Sequence, residues 1–130
     1  MSIQPQTTGL HHLTLRCLDM QRTQAFYRDT LGFSQILDTP DLMAFLAGSL
    51  ILAFRPARPQ HTEDKVFTPF NIGLDHLALA CASEDELQRV AGALAAAGVD
   101  NTGIKLDDVL QKKYVAFKDP DRIQWEFYMV

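Results

Sequence analysis

The sequence has 130 residues, 47% of them hydrophobic and 22% charged, enough apolar material for one domain or for two small halves sharing a core. Its formal net charge is −4, from acidic and basic residues dispersed along the chain. That excludes the basic footprint of a nucleic-acid binder or of a protein drawn to an anionic membrane. No apolar run approaches the roughly 20 residues that cross a bilayer, and the polar stretch 1–8 does not read as a secretory signal, so a cytoplasmic protein is expected.

The first expected strand starts at His12. His12, Thr14 and Arg16 alternate with Leu13, Leu15 and Cys17, the period of a half-buried strand. Asp19 then caps a helix through Leu31, with Ala25, Phe26 and Leu31 among its apolar positions and Gly32 as its stop. Phe33–Thr39 reads as a second strand closed by Pro40, and Leu42–Leu46 and Leu50–Phe54 flank Ala47-Gly48-Ser49 as a hairpin. Residues 55–71 hold three of the six prolines, which marks a linker, bounded at 57–72, able to fold over a site; His61 within it reads as a solvated loop residue.

Sixty-four residues after His12 the opening pattern returns as Leu74-Asp75-His76-Leu77-Ala78-Leu79-Ala80-Cys81, with His, Leu, Leu and Cys at the same offsets. Ser83 and Glu86 form a capping-box pattern ahead of an apolar stripe, Leu87, Val90, Ala91 and Leu94, and Gly98 ends that helix. The His-to-Gly spans, 20 and 22 residues, extend the repeat beyond the strands. Strands are expected within Val99–Leu106, at Lys113–Lys118, and at Ile123–Val130 after an Asp119–Arg122 turn. The pattern predicts an α+β chain of two βαβββ modules, 9–56 and 73–130, in a single domain 1–130. Cys17 and Cys81 fall on the face opposite the histidines and should pack as small apolar side chains in a reducing compartment.

In the last strand Trp125, Phe127 and Met129 share the packing face, so Glu126 points the way the histidines point. A lone strand His is usually a hydrogen-bonded structural residue and a lone terminal Glu is usually solvated. The repeated offset of His12 and His76 and the parity of Glu126 are what join them: two imidazoles and a carboxylate make a facial triad with positions left open on a divalent metal. His11 has the opposite parity and is the weaker candidate. Tyr114, Tyr128, Arg16 and Lys113 are secondary candidates for acid/base work or anion contact.

With His12 in HHLTL, His76 in DHLALA, the segment AFYRDTLGF from Ala25 to Phe33 and DPDRIQWEF from Asp119 to Phe127, the paired modules resemble the vicinal oxygen chelate superfamily over residues 9–130. That group includes glyoxalase I, fosfomycin-resistance thiol transferases, extradiol ring-cleaving dioxygenases, methylmalonyl-CoA epimerase and bleomycin-binding proteins. The resemblance implies a cupped mixed sheet with helices on its outer face and a homodimer. It also implies His12, His76 and Glu126 as ligands of a divalent ion (Fe2+, Mn2+, Zn2+ or Ni2+), and a small-molecule substrate chelated through neighbouring oxygens. The fourth symmetry-related position falls at Ala53, where glyoxalase I and the epimerase carry Glu or Gln. The ring-cleaving dioxygenases and the fosfomycin enzymes, which use two His and one Glu, fit better. Asp107–Lys113 lacks the Ser- and Gly-containing potassium loop of the fosfomycin enzymes, and Arg122 stands where a Gly usually follows Asp-Pro-Asp. The alternative that the resemblance implies is a non-catalytic, drug-sequestering protein of the bleomycin-resistance type.

Overall fold

Among the described residues there are eight strands and two α-helices, four strands and one α-helix in each half of the chain; some strands alternate apolar and polar residues, as in His12–Cys17, and others are almost wholly apolar, as in Leu42–Ala47. The computed structural model describes residues 1–61 and 66–130, and the chain divides into two units, Met1–Thr62 and Glu63–Val130. The first unit runs β1 (His12–Cys17), α1 (Met20–Gln24) continued by a π-helical stretch (Ala25–Thr30), β2 (Ser34–Thr39), β3 (Leu42–Ala47) and β4 (Leu50–Pro56). The second runs β5 (Leu77–Cys81), α2 (Glu84–Ala96), β6 (Asn101–Leu106), β7 (Lys113–Lys118) and β8 (Gln124–Met129). Each is a βαβββ module with a four-stranded mixed sheet, in the orders β1-β4-β3-β2 and β5-β8-β7-β6, the first strand lying parallel to the last. Part of the linker expected at 57–72 lies outside the described residues. On its described sides, the Ala57 amide donates to the Cys17 carbonyl at 2.8 Å and the Phe67 amide to the Asp121 carbonyl at 3.0 Å. Among the described residues no helix is long and apolar enough to cross a membrane.

The helix after β1 starts where expected: Asp19 Oδ1 accepts from the amides of Gln21 and Arg22 at 3.0 and 3.1 Å. Its second half differs from the expected α-helix. The Leu31 amide reaches back five residues to the Phe26 carbonyl at 2.9 Å, and this wider winding ends on Gly32 at φ +77°. Tyr27, on the wide turn, is fully buried against Phe54 and Phe45, with ring centroids 4.5 and 6.0 Å away, so the winding follows the packing. Helix α2 uses half of its capping box. Ser83 Oγ accepts from the Glu86 amide at 3.1 Å, while the Glu86 carboxylate turns to the Arg89 guanidinium at 2.5 and 2.7 Å.

Each unit has its own buried side chains. Phe45, Leu52, Phe54 and Met43 lie under the first helix; Trp125, Phe117, Val115, Leu87 and Leu94 fill the second unit. Each large one contributes about 1.5–3 kcal/mol by leaving water. Cys17 and Cys81 are both buried, and neither is in a disulfide.

The 119–122 turn accommodates its unusual residue by strain. Buried Asp119 accepts at Oδ1 from the amides of Asp121 and Ile123, both at 2.9 Å, and this clamp holds Arg122 at φ +69°. A left-handed conformation costs an L side chain about 1–2 kcal/mol, which the exposed Arg122–Asp100 ion pair at 2.8 Å offsets only in part. Arg122→Gly should therefore be more stable than Arg122→Ala by about 1 kcal/mol, the reverse of the ordinary order, in urea unfolding of the two variants. Equal midpoints would show that the turn relaxes.

Candidate metal centre

The pleat of β8 sends Trp125 into the core and Glu126 to the other face, between Ala78 on β5 and Ala116 on β7. Two methyl-sized neighbours leave the carboxylate at the floor of a cavity of about 420 Å³, whose walls include His76, Asp107, Leu110, Tyr114 and Tyr128. His76 lies one residue before β5, rather than within the strand, and its Nε2 stands 3.5 Å from Glu126 Oε2. Its Nδ1 is 2.6 Å from Asp75 Oδ1. With the Nδ1 proton donated to Asp75, the Nε2 lone pair faces Glu126.

Burial pushes the Glu126 carboxyl above its ordinary range; His76 opposes that shift, and Asp107 and Asp75 add to it. Tyr128 donates its hydroxyl to Asp107 Oδ2 at 2.7 Å. Burial and that bond hold the phenol up at about 12, and the same bond keeps Asp107 below the usual carboxylate range. Asp107 Oδ1 also accepts from the Val109 amide at 2.8 Å, so one side chain ties the β6–β7 loop to the cavity wall. Tyr114 and Tyr128 stack at 5.8 Å and 15°, forming a flat wall.

In the first unit His12 opens β1, exposed, with its Nδ1 2.8 Å from His11 Nδ1. When His12 donates that proton, its own Nε2 is free to act as a ligand. In both units, then, the residue immediately before the histidine meets its Nδ1: His11 in one, Asp75 in the other. The registers also coincide. Thr14, Ala53 and Ala44 lie side by side on β1, β4 and β3, as Ala78, Glu126 and Ala116 do on β5, β8 and β7, so Ala53 occupies the position of Glu126.

The remaining candidates separate. Tyr114 and Tyr128 line the cavity; Lys113 pairs with Glu84 on the opposite face of β7. Arg16 donates to the Pro56 carbonyl at 2.9 Å and lines a different cavity, in the first unit. His11 was read only as the weaker ligand candidate and not as the partner of His12, and Asp75 and Asp107 escaped the sequence reading as site residues. Adjacency to the repeated histidines marks the first two, whereas Asp107 is placed by a loop that no periodicity describes.

The donor set of the second unit fits a divalent ion. Two donors each about 2.1 Å from one ion at a tetrahedral angle stand about 3.4 Å apart, close to the His76–Glu126 spacing. Within that unit, among the described residues, no third His, Cys, Asp or Glu completes a ligand group.

The chain is 29% identical over 128 residues to the uncharacterized protein YwkD of Bacillus subtilis (strain 168), covering 92% of this chain and 95% of YwkD. Its fold is similar to that of the lactoylglutathione lyase from Agrobacterium tumefaciens (TM-score 0.75, 19% identity, 95% of each chain). It is also similar to the fosfomycin resistance protein FosX from Listeria monocytogenes (TM-score 0.73, 19% identity, 96% of this chain and 95% of that one). Two proteins whose names describe different activities match almost equally, and at such identity the likeness is one of fold. The family model of the Glyoxalase/Bleomycin resistance protein/Dioxygenase superfamily matches residues 9–127, from just ahead of β1 nearly to the end of β8, and the chain belongs to that superfamily.

Proposed function

We propose that the protein is a divalent-metal-dependent enzyme acting on a small substrate that offers the ion two neighbouring oxygens. The observation that carries this reading is the His76–Glu126 pair, 3.5 Å apart, with Asp75 fixing the imidazole so that its free lone pair faces the carboxylate. His76 Nε2 and Glu126 would hold the ion, and we assign the third ligand to His12. When bound, the ion (Fe2+, Mn2+, Zn2+ or Ni2+) supplies positive charge to oxygens that become negative during the reaction.

The chain's own groups do the rest. Asp75 keeps His76 in the ligating tautomer. Tyr128 keeps its proton, committed to Asp107, and so serves as a wall and hydrogen-bonding group rather than as a base. The stacked Tyr114 and Tyr128 rings seat a flat or cyclic substrate against Glu126. Ala53 leaves one position without a carboxylate, which suits ring-cleaving dioxygenation or thiol transfer to an epoxide better than hemithioacetal isomerisation.

Elemental analysis should find about one divalent ion per chain, lost in folded His12→Ala, His76→Ala and Glu126→Ala variants. Assays of catechol cleavage and epoxide thiol transfer on the metal-loaded parent then select the reaction. Unchanged metal content in the three variants would sink the metal reading. Tight small-molecule binding without metal would favour sequestration instead.

A further inference from the structure

We propose an anion-binding subsite in the first unit, formed by Arg16, Arg55 and Arg58 and selective for a phosphate or carboxylate group. Arg16 and Arg55 are paired neighbours on the parallel strands β1 and β4, and Arg58 follows two residues past the end of β4. All three line a cavity of about 510 Å³. Like charges directly opposite one another in a sheet repel, so the arrangement gains from a negative partner. Among the described residues none of the three guanidiniums is in an ion pair.

What touches Arg16 and Arg55 orients them without neutralising them. Arg16 donates to the Pro56 carbonyl at 2.9 Å, and Arg55 to the Asp41 carbonyl at 3.5 Å; both acceptors are uncharged backbone. Asp41 also lines the cavity, so among the described residues its lining has three cationic residues and one anionic one. Planar guanidinium forks match the paired oxygens of phosphates and carboxylates, which is why the occupant is an oxyanion rather than a halide.

Its place on the sheet gives the subsite a use. Arg16 and Arg55 lie on the same face as His12 and Ala53, and four residues of strand separate Arg16 from His12, about 13 Å. Measured along β1 to the proposed ligand His12, that spacing suits a substrate whose acidic group is remote from its chelating oxygens. Only this last step rests on the proposed function; the anion site itself does not.

Metal-free, 15N-labelled protein titrated with inorganic phosphate, acetate and chloride at matched ionic strength tests it through the arginine Nε–H signals. Saturable shifts with phosphate or acetate but not with chloride are expected, weakened at least about tenfold by Arg55→Gln and by Arg58→Gln, each of which removes a charge-assisted hydrogen bond. The tighter of the two oxyanions names the group. His76→Ala and Glu126→Gln should leave the affinity unchanged, so loss of the metal reading and loss of this one are seen separately. Unsaturable shifts, shifts matched by chloride, or parental affinity retained in Arg55→Gln and Arg58→Gln would overturn the subsite.

Discussion

Glu126→Gln is expected to stabilise the metal-free protein near neutral pH and to abolish the stabilisation that a divalent ion gives the parent. The Glu126 side chain is almost buried, and burial raises its carboxyl above the ordinary range. Between the unfolded value and that raised one the native state binds a proton that the unfolded state has released. This contribution is therefore full below the ordinary carboxylate range and is lost as pH rises through the raised value. Gln keeps the shape without the charge and should gain on the order of 1 kcal/mol at neutral pH without metal. With metal the order reverses. An ion at about 1,000 times its dissociation constant adds about 4 kcal/mol to the parent and little to the variant. Urea unfolding between pH 4 and 8, with and without metal, gives all four stabilities. Parallel pH curves with equal metal responses would remove Glu126 from the centre.

Ala53→Glu should behave in the opposite way. Ala53 is buried between Thr14 and Ala44 in the register position that Glu126 has in the other unit. A carboxylate there, without metal, loses its water and must displace packed neighbours, at a cost of about 2–4 kcal/mol at pH 7. Much of that should return at pH 4, where the group takes up a proton; Ala53→Gln, similar in volume but uncharged, separates bulk from charge. Added metal should recover more stability in Ala53→Glu than in the parent, because coordination replaces the lost hydration. Unchanged stability, together with unaltered metal affinity, would show that the equivalence of register carries no equivalence of environment.

Strand positions were legible in the sequence because burial is written in parity. Leu52, Phe54, Trp125 and Phe127 alternate with Ala53 and Glu126, and a one-residue slip would turn the buried Leu52, Phe54 and Trp125 out of the core. The helix after β1 was legible at its ends, since Asp19 and Gly32 act locally. Its π winding was not, because it answers to Tyr27 packing against β3 and β4, a contact between residues far apart in sequence. The same distinction divides the site. His76 and Glu126 show in repeat and parity, whereas the Asp107–Tyr128 bond spans 21 residues and depends on the conformation of a loop. Arg122 was legible as an anomaly; the Asp119 clamp that imposes it was not.

The matching registers of the two units bear on how such a chain diverges. Leu13, Leu52 and Phe45 align across one sheet where Leu77, Trp125 and Phe117 align across the other, and both rows stay hydrophobic while individual sizes change. The neighbouring rows share no such constraint: one carries a carboxylate at its centre, the other a methyl group. Because the two rows alternate along the same strands, a substitution at Ala53 or Glu126 changes one face of a sheet while the residues of the other face stay the same. The carboxylates presented on that face thus differ between the units by a single side chain, Glu126 against Ala53, while the hydrophobic row keeps its character in both.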